Sequence, residues 1–287
     1  MPSEHEGRAD GSELVTDRDP DIVLPDEPPL PSENIRIPQR GFTVDRTKAL
    51  IVALICIAGW AAMIWAVTND MTGPLDRAGL LLYRTGTDLA PRGPAFLQEA
   101  IRDTTALGGV FLSTLATIAA IVALLFLRLR REAVLFAATV IIGWMINNAM
   151  KALIGRARPE IVPHLAIADG NSFPSGHSFA SAMIYIGMAL AFASMSNRHS
   201  VRYTIVGAAM VGSAAIAWSR VLLGVHFPSD VVAGWLGGAG WAFLAAAILY
   251  KPARAAAESE AADRLDPSHQ SKPQSSAPSG TANRTEN

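Results

Sequence analysis

Three short stretches of this sequence set residues suited to handling a phosphoryl group beside long apolar runs. The first is Lys151-Ala-Leu-Ile-Gly-Arg156-Ala-Arg158-Pro159. The second is Ser172-Phe-Pro174-Ser175-Gly176-His177-Ser178, and the third runs from Ser219-Arg220 to His226-Phe-Pro228-Ser229-Asp230. Arg158 and Arg220 offer forked donors that match phosphate oxygens, and Lys151 adds a point charge. Ser175 supplies a hydroxyl donor, and Gly176 lets the backbone come close to an anion. Asp230 follows His226 by four residues, one turn if a helix has started there. Its carboxylate can then accept the Nδ1 proton and leave Nε2 free to attack. His226 is the candidate nucleophile; His177, on a separate stretch, is the candidate acid for the leaving alkoxide and base for the attacking water. The cations would carry the charge on the transferring oxygens, a route that calls for no metal and no other cofactor.

Each stretch also has a plain structural use. Basic residues at the end of an apolar helix snorkel to the interface, and Pro-Ser-Gly serves as an ordinary turn and cap. Asp230 suits a helix N-terminus, a use compatible with orienting His226. Two histidines, three cations, a glycine turn and a carboxylate at one membrane edge together favour chemistry over any of these singly. Arg156 is an auxiliary binder at most on this reading, and His164 and Asp103 receive no role. His5, His199 and His269 fall away from the site.

The elements that must assemble these stretches are membrane helices. Half of the 287 residues are apolar and 17% are charged, with a mean hydropathy of +0.27, whereas an average soluble domain carries about a quarter charged residues. The formal charge of −1 gives no basic field for nucleic acid. Cys56 is the only cysteine, which rules out an intramolecular disulfide framework or a thiolate zinc site. Residues 1–47 hold 11 acidic residues, five basic residues and seven prolines and lack a basic region followed by an apolar one. They read as a solvated tail, with the first span acting as insertion signal. Residues 251–287 read as a second polar, disordered tail.

Runs of about 20 apolar residues fall near 49–68, 107–127, 133–150, 178–195, 203–222 and 231–249, which gives six spans. The expected fold is an all-α, six-helix integral membrane bundle over 48–250. Gly207, Gly212, Gly234, Gly237 and Gly238 suit close helix packing, so the last two spans are expected in the bundle interior. An even number of spans puts both tails on one side. Ten cations flank that side and eight the other, four of the eight in the three stretches (Lys151, Arg156, Arg158 and Arg220). This bias places both termini in the cytoplasm. The segment 70–106 reads either as interfacial, with short helices on the membrane surface, or as an exposed loop. By the same parity all three polar stretches share one face. There the N-termini of spans four and six, with their positive dipole ends, favour an anion.

The three stretches resemble the three-part signature of the type 2 phosphatidic acid phosphatase family, whose superfamily includes vanadium haloperoxidases and bacterial acid phosphatases. Lys-x6-Arg-Pro stands at Lys151 to Pro159 and Pro-Ser-Gly-His at Pro174 to His177. Ser-Arg-x5-His-x3-Asp stands at Ser219, Arg220, His226 and Asp230. The resemblance covers roughly residues 100–250 and leaves the tails out. It implies a six-helix, metal-independent integral membrane phosphatase working through a phosphohistidine, with its site at the outer face; the excess of arginine over lysine, 20 to 4, points to a bacterium and so to its inner membrane with a periplasmic site. Lys151, Arg158, Ser175, Gly176 and Arg220 would bind phosphate, His177 would be the acid, His226 the nucleophile and Asp230 its partner. The implied substrates are lipid phosphates or pyrophosphates of the phosphatidic acid, phosphatidylglycerophosphate or undecaprenyl pyrophosphate type. A lipid phosphotransferase with the same site and a non-catalytic lipid-phosphate binder or transporter stand as alternatives. The sequence sets neither the lipid nor the oligomeric state.

Overall fold

The computed structural model describes residues 43–193, 195–196, 198–249 and 251–252. The two polar tails lie outside the described residues, apart from 43–47 and 251–252. Helices build the architecture: α1 (Arg46–Thr68), α2 (Gly73–Leu81), α3 (Ala95–Ala106), α4 (Val110–Phe126) and α5 (Arg130–Ile154). Then come α6 (Gly176–Ser181), a π-helical turn (Ala182–Ile186), α7 (Gly187–Ala193), α8 (His199–Leu222) and α9 (Pro228–Leu249). The stretch from α6 through α7 forms one span of 18 residues. Among the described residues five helices are long and apolar enough to cross a bilayer, and six if α3 and α4, bent by 49° at their junction, count as one. The chain is thus an all-α, multi-pass membrane protein. Its strands are two-residue ladders: β1 (Thr43–Val44) runs parallel to β4 (Lys251–Pro252), and β2 (Arg84–Thr85) antiparallel to β3 (Ala90–Pro91).

The second span differs from the single helix expected over 107–127. Its apolar run holds Gly108 and Gly109, and the chain breaks there; α4 alone has 17 residues, about 25 Å at the helical rise. The break is a packing requirement. A Cβ on Gly108 would stand 2.5 Å from Ile216 and 3.4 Å from His177, so only a bare backbone fits between α8 and the site. Tyr185 Oη holds the bend by donating to the Leu107 carbonyl at 2.7 Å.

α9 is the central helix. Two thirds of its spanning window is buried, against about a sixth for α1. Its glycines explain the difference: a Cβ on Gly237 would meet Phe179 and Trp60 at 3.0–3.1 Å, and one on Gly234 would stand 2.5 Å from the Ser175 carbonyl. Gly238 abuts the Phe179 backbone still more closely. α9 therefore packs backbone to backbone on α6, as small residues permit where lipid gives no hydrophobic gain.

The expectation that span five also lies inside is corrected. Only a third of the α8 window is buried, and a Cβ on Gly207 or Gly212 would meet nothing within 4 Å among the described residues. The second interior span is instead Gly176–Ala193, two thirds buried. Glycine frequency marked both α8 and α9, but only a neighbour's position tells a contact glycine from an open one.

Segment 70–106 contains two short helices and the β2–β3 hairpin. α2 turns Asp76 and Leu80 inward, and Leu80 joins Val162, Ala217, Val221 and Val231 in a small core at the mouth of the bundle. The α5 helix ends on Gly155 at φ +62°, the left-handed stop that glycine tolerates. Arg156 and Arg158 thereby leave the helix and turn back over the site.

Candidate active site

Each functional side chain comes from a helix end or the loop beside it. Lys151 sits in the last turn of α5, where Nζ donates to the Asn171 carbonyl at 2.7 Å while Asn171 Nδ2 donates to the Lys151 carbonyl at 2.8 Å. This reciprocal pair ties the first polar stretch to the second. Gly176 opens α6 within reach of the same lysine, its missing Cβ 3.7 Å from Lys151 Cε. Ser175 precedes it, fully buried, with its N–H on the Asp230 carbonyl at 3.0 Å and its hydroxyl accepting from Ser178 at 2.9 Å. Ser175 thus already clamps α6 to α9.

Arg158 makes the widest reach. Its Nε donates to the Gly170 carbonyl (3.1 Å), Nη2 to the Asp169 carbonyl (2.8 Å) and Nη1 to the Val225 carbonyl (2.9 Å). Nη1 also lies 3.1 Å from His226 Nε2. A guanidinium has no acceptor, so Nε2 must present its lone pair and the ring proton must sit on Nδ1. That tautomer points Nδ1–H at Ser172 Oγ, 3.2 Å away, and at Asp230 Oδ2, 3.4 Å away. Ser172 Oγ in turn donates to Asp230 Oδ2.

The expected His226–Asp230 pair is therefore present, with the Ser172 hydroxyl beside it as a second acceptor. His226 is 2% exposed. Burial pushes its pKa down to about 4 against the pull of Asp230, so the ring is neutral across the physiological range.

Asp230 also does structural work. Oδ2 accepts the Phe227 N–H at 2.9 Å, the reach of a third helical residue back to the cap, and Pro228 occupies the first helical position. Both uses of Asp230 converge on Oδ2, which takes the Phe227 N–H and faces His226 Nδ1. Oδ1 takes Arg156 Nη1 at 2.6 Å.

Arg220, 4% exposed, donates Nη1 to Thr105 Oγ1 at 3.1 Å, and its Nε has no partner among the described residues. His177 lies in the field of Arg220, His226, Arg158 and Lys151, beside the bare backbone of Gly108 and Gly109. The structure thus gathers the sequence-selected residues at one end of the bundle. Among the described residues no three His, Cys, Asp or Glu side chains come together as a metal cage.

Sequence reasoning missed four participants. Ser172 has no role that spacing alone reveals, and Arg156, an auxiliary by position, pairs with both Asp230 and Asp76. Thr105 and Asp76 come from the 70–106 segment, and no local spacing links them to residues over a hundred positions away. Asn147 is the remaining near miss: it lies four residues before Lys151, which a helical reading of span three would have put on the same face. Its Oδ1 is buried with no partner among the described residues.

Beneath His177 and Lys151 a cavity of about 710 Å³ runs between α4 and α5. Its walls are largely apolar, with Val140 and Ile141 from α5, Met183 and Ile184 from the π-helical turn and Thr117 from α4.

With fold and site in view, the chain shows its kin. Residues 132–254, which hold all three polar stretches, match the PAP2 superfamily. Over 122 residues it is 35% identical to a lipid A 1-phosphatase of Rhizobium etli, an alignment covering 39% of this chain and 47% of the relative. Over 95 residues it is 36% identical to phosphatidylglycerophosphatase B of Bacillus subtilis, covering 32% and 45% respectively. The matches thus span less than half of these relatives' own lengths. The fold is similar to the crystal structure of a transmembrane PAP2 type phosphatidylglycerolphosphate phosphatase from Bacillus subtilis. The TM-score is 0.56 at 25% identity, over 69% of this chain and 94% of that one.

Proposed function

We propose that the chain is a metal-independent membrane phosphatase that cleaves a lipid phosphate or pyrophosphate through a phosphohistidine on His226. The observation that carries this reading is the His226 ring itself. Its Nδ1 side is held by Ser172 and Asp230, and its Nε2 lone pair is presented to the same guanidinium fork that would bind phosphate. An arriving phosphoryl oxygen competes for Arg158 Nη1, and its acceptance there bares Nε2 in line with phosphorus. Arg220, with an uncommitted Nε, Lys151 and the first N–H groups of α6 complete the cradle.

In the first step the Nε2–P bond forms as the ester P–O bond breaks, and the leaving oxygen takes a proton from His177. Asp230 then faces a ring made cationic by phosphorylation, which stabilises it. In the second step His177 removes a proton from water, the water oxygen bonds to phosphorus, and the Nε2–P bond breaks to release inorganic phosphate. The cations offset charge on the three transferring oxygens throughout.

A lipid substrate is supported by the apolar cavity that reaches the site from between α4 and α5, and by the relatives that act on lipid A or phosphatidylglycerophosphate. The bacterial inner membrane, with the site on the periplasmic face and both termini cytoplasmic, is the arrangement that the cation distribution supports. The test is phosphate release by the purified full chain in detergent from a panel of lipid phosphates and pyrophosphates, with EDTA present and His226→Ala alongside. Release that vanishes in the variant and is inhibited by vanadate is the expected result. A requirement for added magnesium would overturn the metal-free route. Transfer to a second lipid instead of water would make the chain a phosphotransferase, and tight lipid-phosphate binding without turnover a carrier.

A further inference from the structure

Resting on the phosphohistidine reading above, we propose that Asp76, on the short helix α2, is a positioning residue for the His226–Asp230 pair and acts on it through Arg156. The Arg156 guanidinium stands between two buried carboxylates. Nη1 meets Asp230 Oδ1 at 2.6 Å and Nη2 meets Asp76 Oδ2 at 2.8 Å. Asp76 is 1% exposed and Asp230 is fully buried. Asp76 is itself fixed by Ser229, whose N–H reaches Oδ1 at 2.9 Å and whose hydroxyl reaches Oδ2 at 2.7 Å. Arg156 Nη1 also donates to Ser229 Oγ at 2.8 Å, and its plane lies 4.3 Å from the centre of the Phe227 ring. The arginine is therefore held from both ends and along one face.

Two consequences follow for the nucleophile. First, with Oδ1 of Asp230 committed to Arg156, only Oδ2 is left to face Phe227 N–H, Ser172 and His226 Nδ1. Arg156 thereby selects the carboxylate rotamer that orients the ring. Secondly, two carboxylates share one guanidinium, so the trio keeps a net charge of −1. Asp76 absorbs part of the arginine's charge, and Asp230 keeps enough of its own to stabilise the cationic phosphohistidine ring. The other charged or titratable groups around His226 are Arg158 after α5, Arg220 on α8, His177 on α6 and Lys151 at the end of α5. All of them are cationic or neutral. Asp76 is thus a second carboxylate whose charge bears on the nucleophile, through Arg156 and not by contact, its own oxygens bonding to Arg156 and Ser229.

The competing account is that Asp76 and Arg156 merely fasten α2 to the bundle. The experiment that separates the two reads the His226 ring directly. Full-length protein labelled with ¹⁵N-histidine is titrated in detergent without substrate, the His226 signal being assigned by its loss in His226→Gln. Steady-state kinetics follow on the lipid phosphate that the wild type hydrolyses.

Arg156→Gln leaves two buried carboxylates without their cation, and the titration midpoint of His226 is expected to rise. Asp76→Asn keeps the shape but throws the full guanidinium charge onto Asp230, and the midpoint is expected to fall, by about one pH unit at protein-like dielectric. In both variants kcat is expected to fall by about tenfold or more with KM within about twofold, because neither residue binds phosphate. The double variant Asp76→Asn/Arg156→Gln restores the net charge of −1 and leaves Asp230 as the one buried carboxylate of the former trio. It keeps the test alive if a single variant does not fold, and its midpoint is expected to return toward the wild-type value.

Midpoints unmoved in the folded variants would overturn the positioning role while leaving the phosphatase reading intact. Signed shifts in a protein that releases no phosphate from any lipid would support the positioning role and overturn the phosphatase reading.

Discussion

Arg158 Nη1 stands 3.1 Å from His226 Nε2 and 2.9 Å from the Val225 carbonyl, so one nitrogen both anchors the loop before α9 and faces the proposed attacking atom. The other two nitrogens are held by the Gly170 and Asp169 carbonyls, which aim the fork without using a carboxylate. A lysine at this position has one compact ammonium and cannot span four acceptors. Arg158→Lys is therefore expected to lower kcat/KM by about 10²- to 10³-fold, the scale of losing one preorganised donor to a developing oxyanion. Initial-rate phosphate release measures it, and a loss under about fivefold would mean that the fork is not directed at the transferring group.

The buried state of His226 predicts a pH dependence of stability with a definite sign. Its folded pKa of about 4 lies below the ordinary 6.5, so between those values the unfolded chain binds more protons than the folded one. Stability from this residue is complete above about pH 6.5 and drains away as pH falls toward 4, for a total of about 3 kcal/mol. Thermal unfolding in detergent between pH 7.5 and 4.5 should show a steeper fall for the wild type than for His226→Gln, which has no such proton to take up. Parallel curves for the two proteins would show that the ring is not held neutral by burial.

How far the sequence reaches is instructive at particular residues. Span positions followed from apolar length alone, because a bilayer demands about 20 such residues whatever their partners. His226 and Asp230 were legible as a pair because a four-residue spacing is local geometry. Arg158 and His226 are 68 residues apart, and only the recognisable order of three motifs hinted that they meet. Asp76 carried no such hint, since an acidic residue in a connecting segment is usually solvated and its partner Arg156 lies 80 residues on. The bend at Gly108–Gly109 was hidden inside an apolar run that was otherwise long enough to span unbroken.

The same contrast makes the glycines of α9 and α8 a matched experiment. Gly234→Ala drives a methyl group to 2.5 Å from the Ser175 carbonyl, at the turn that delivers His177, and α9 backbone is on the other side. It is expected to cost about 1–3 kcal/mol, the usual range for overpacking, and to depress turnover because the Pro174–His177 turn must shift. Gly207→Ala and Gly212→Ala meet nothing within 4 Å and should raise stability by about 0.5–1 kcal/mol through helix propensity. Thermal midpoints of the three variants, with activity in parallel, measure the difference. Equal destabilisation by all three would contradict the close α6–α9 contact.

The cavity between α4 and α5 makes a prediction about substrate length that the phosphate site alone does not. Thr117 lines it two turns below the Gly109 bend, about 12 Å along the helix by the 1.5 Å rise. A ring at this depth would obstruct an acyl chain but leave His177, Lys151 and the cationic fork untouched. Thr117→Phe is therefore expected to raise KM for a long-chain lipid phosphate by about tenfold, the value of about 1.4 kcal/mol of lost chain burial. A short-chain or water-soluble phosphate ester should be hydrolysed at the wild-type rate, since its phosphoryl group reaches the same cradle without occupying the groove. The comparison of both substrates on one protein preparation separates obstruction of the groove from damage to the site, because damage would slow the two alike. An unchanged KM for the long-chain substrate would show that the chain leaves the site by another path, such as the smaller recess of about 410 Å³ between α7 and α8.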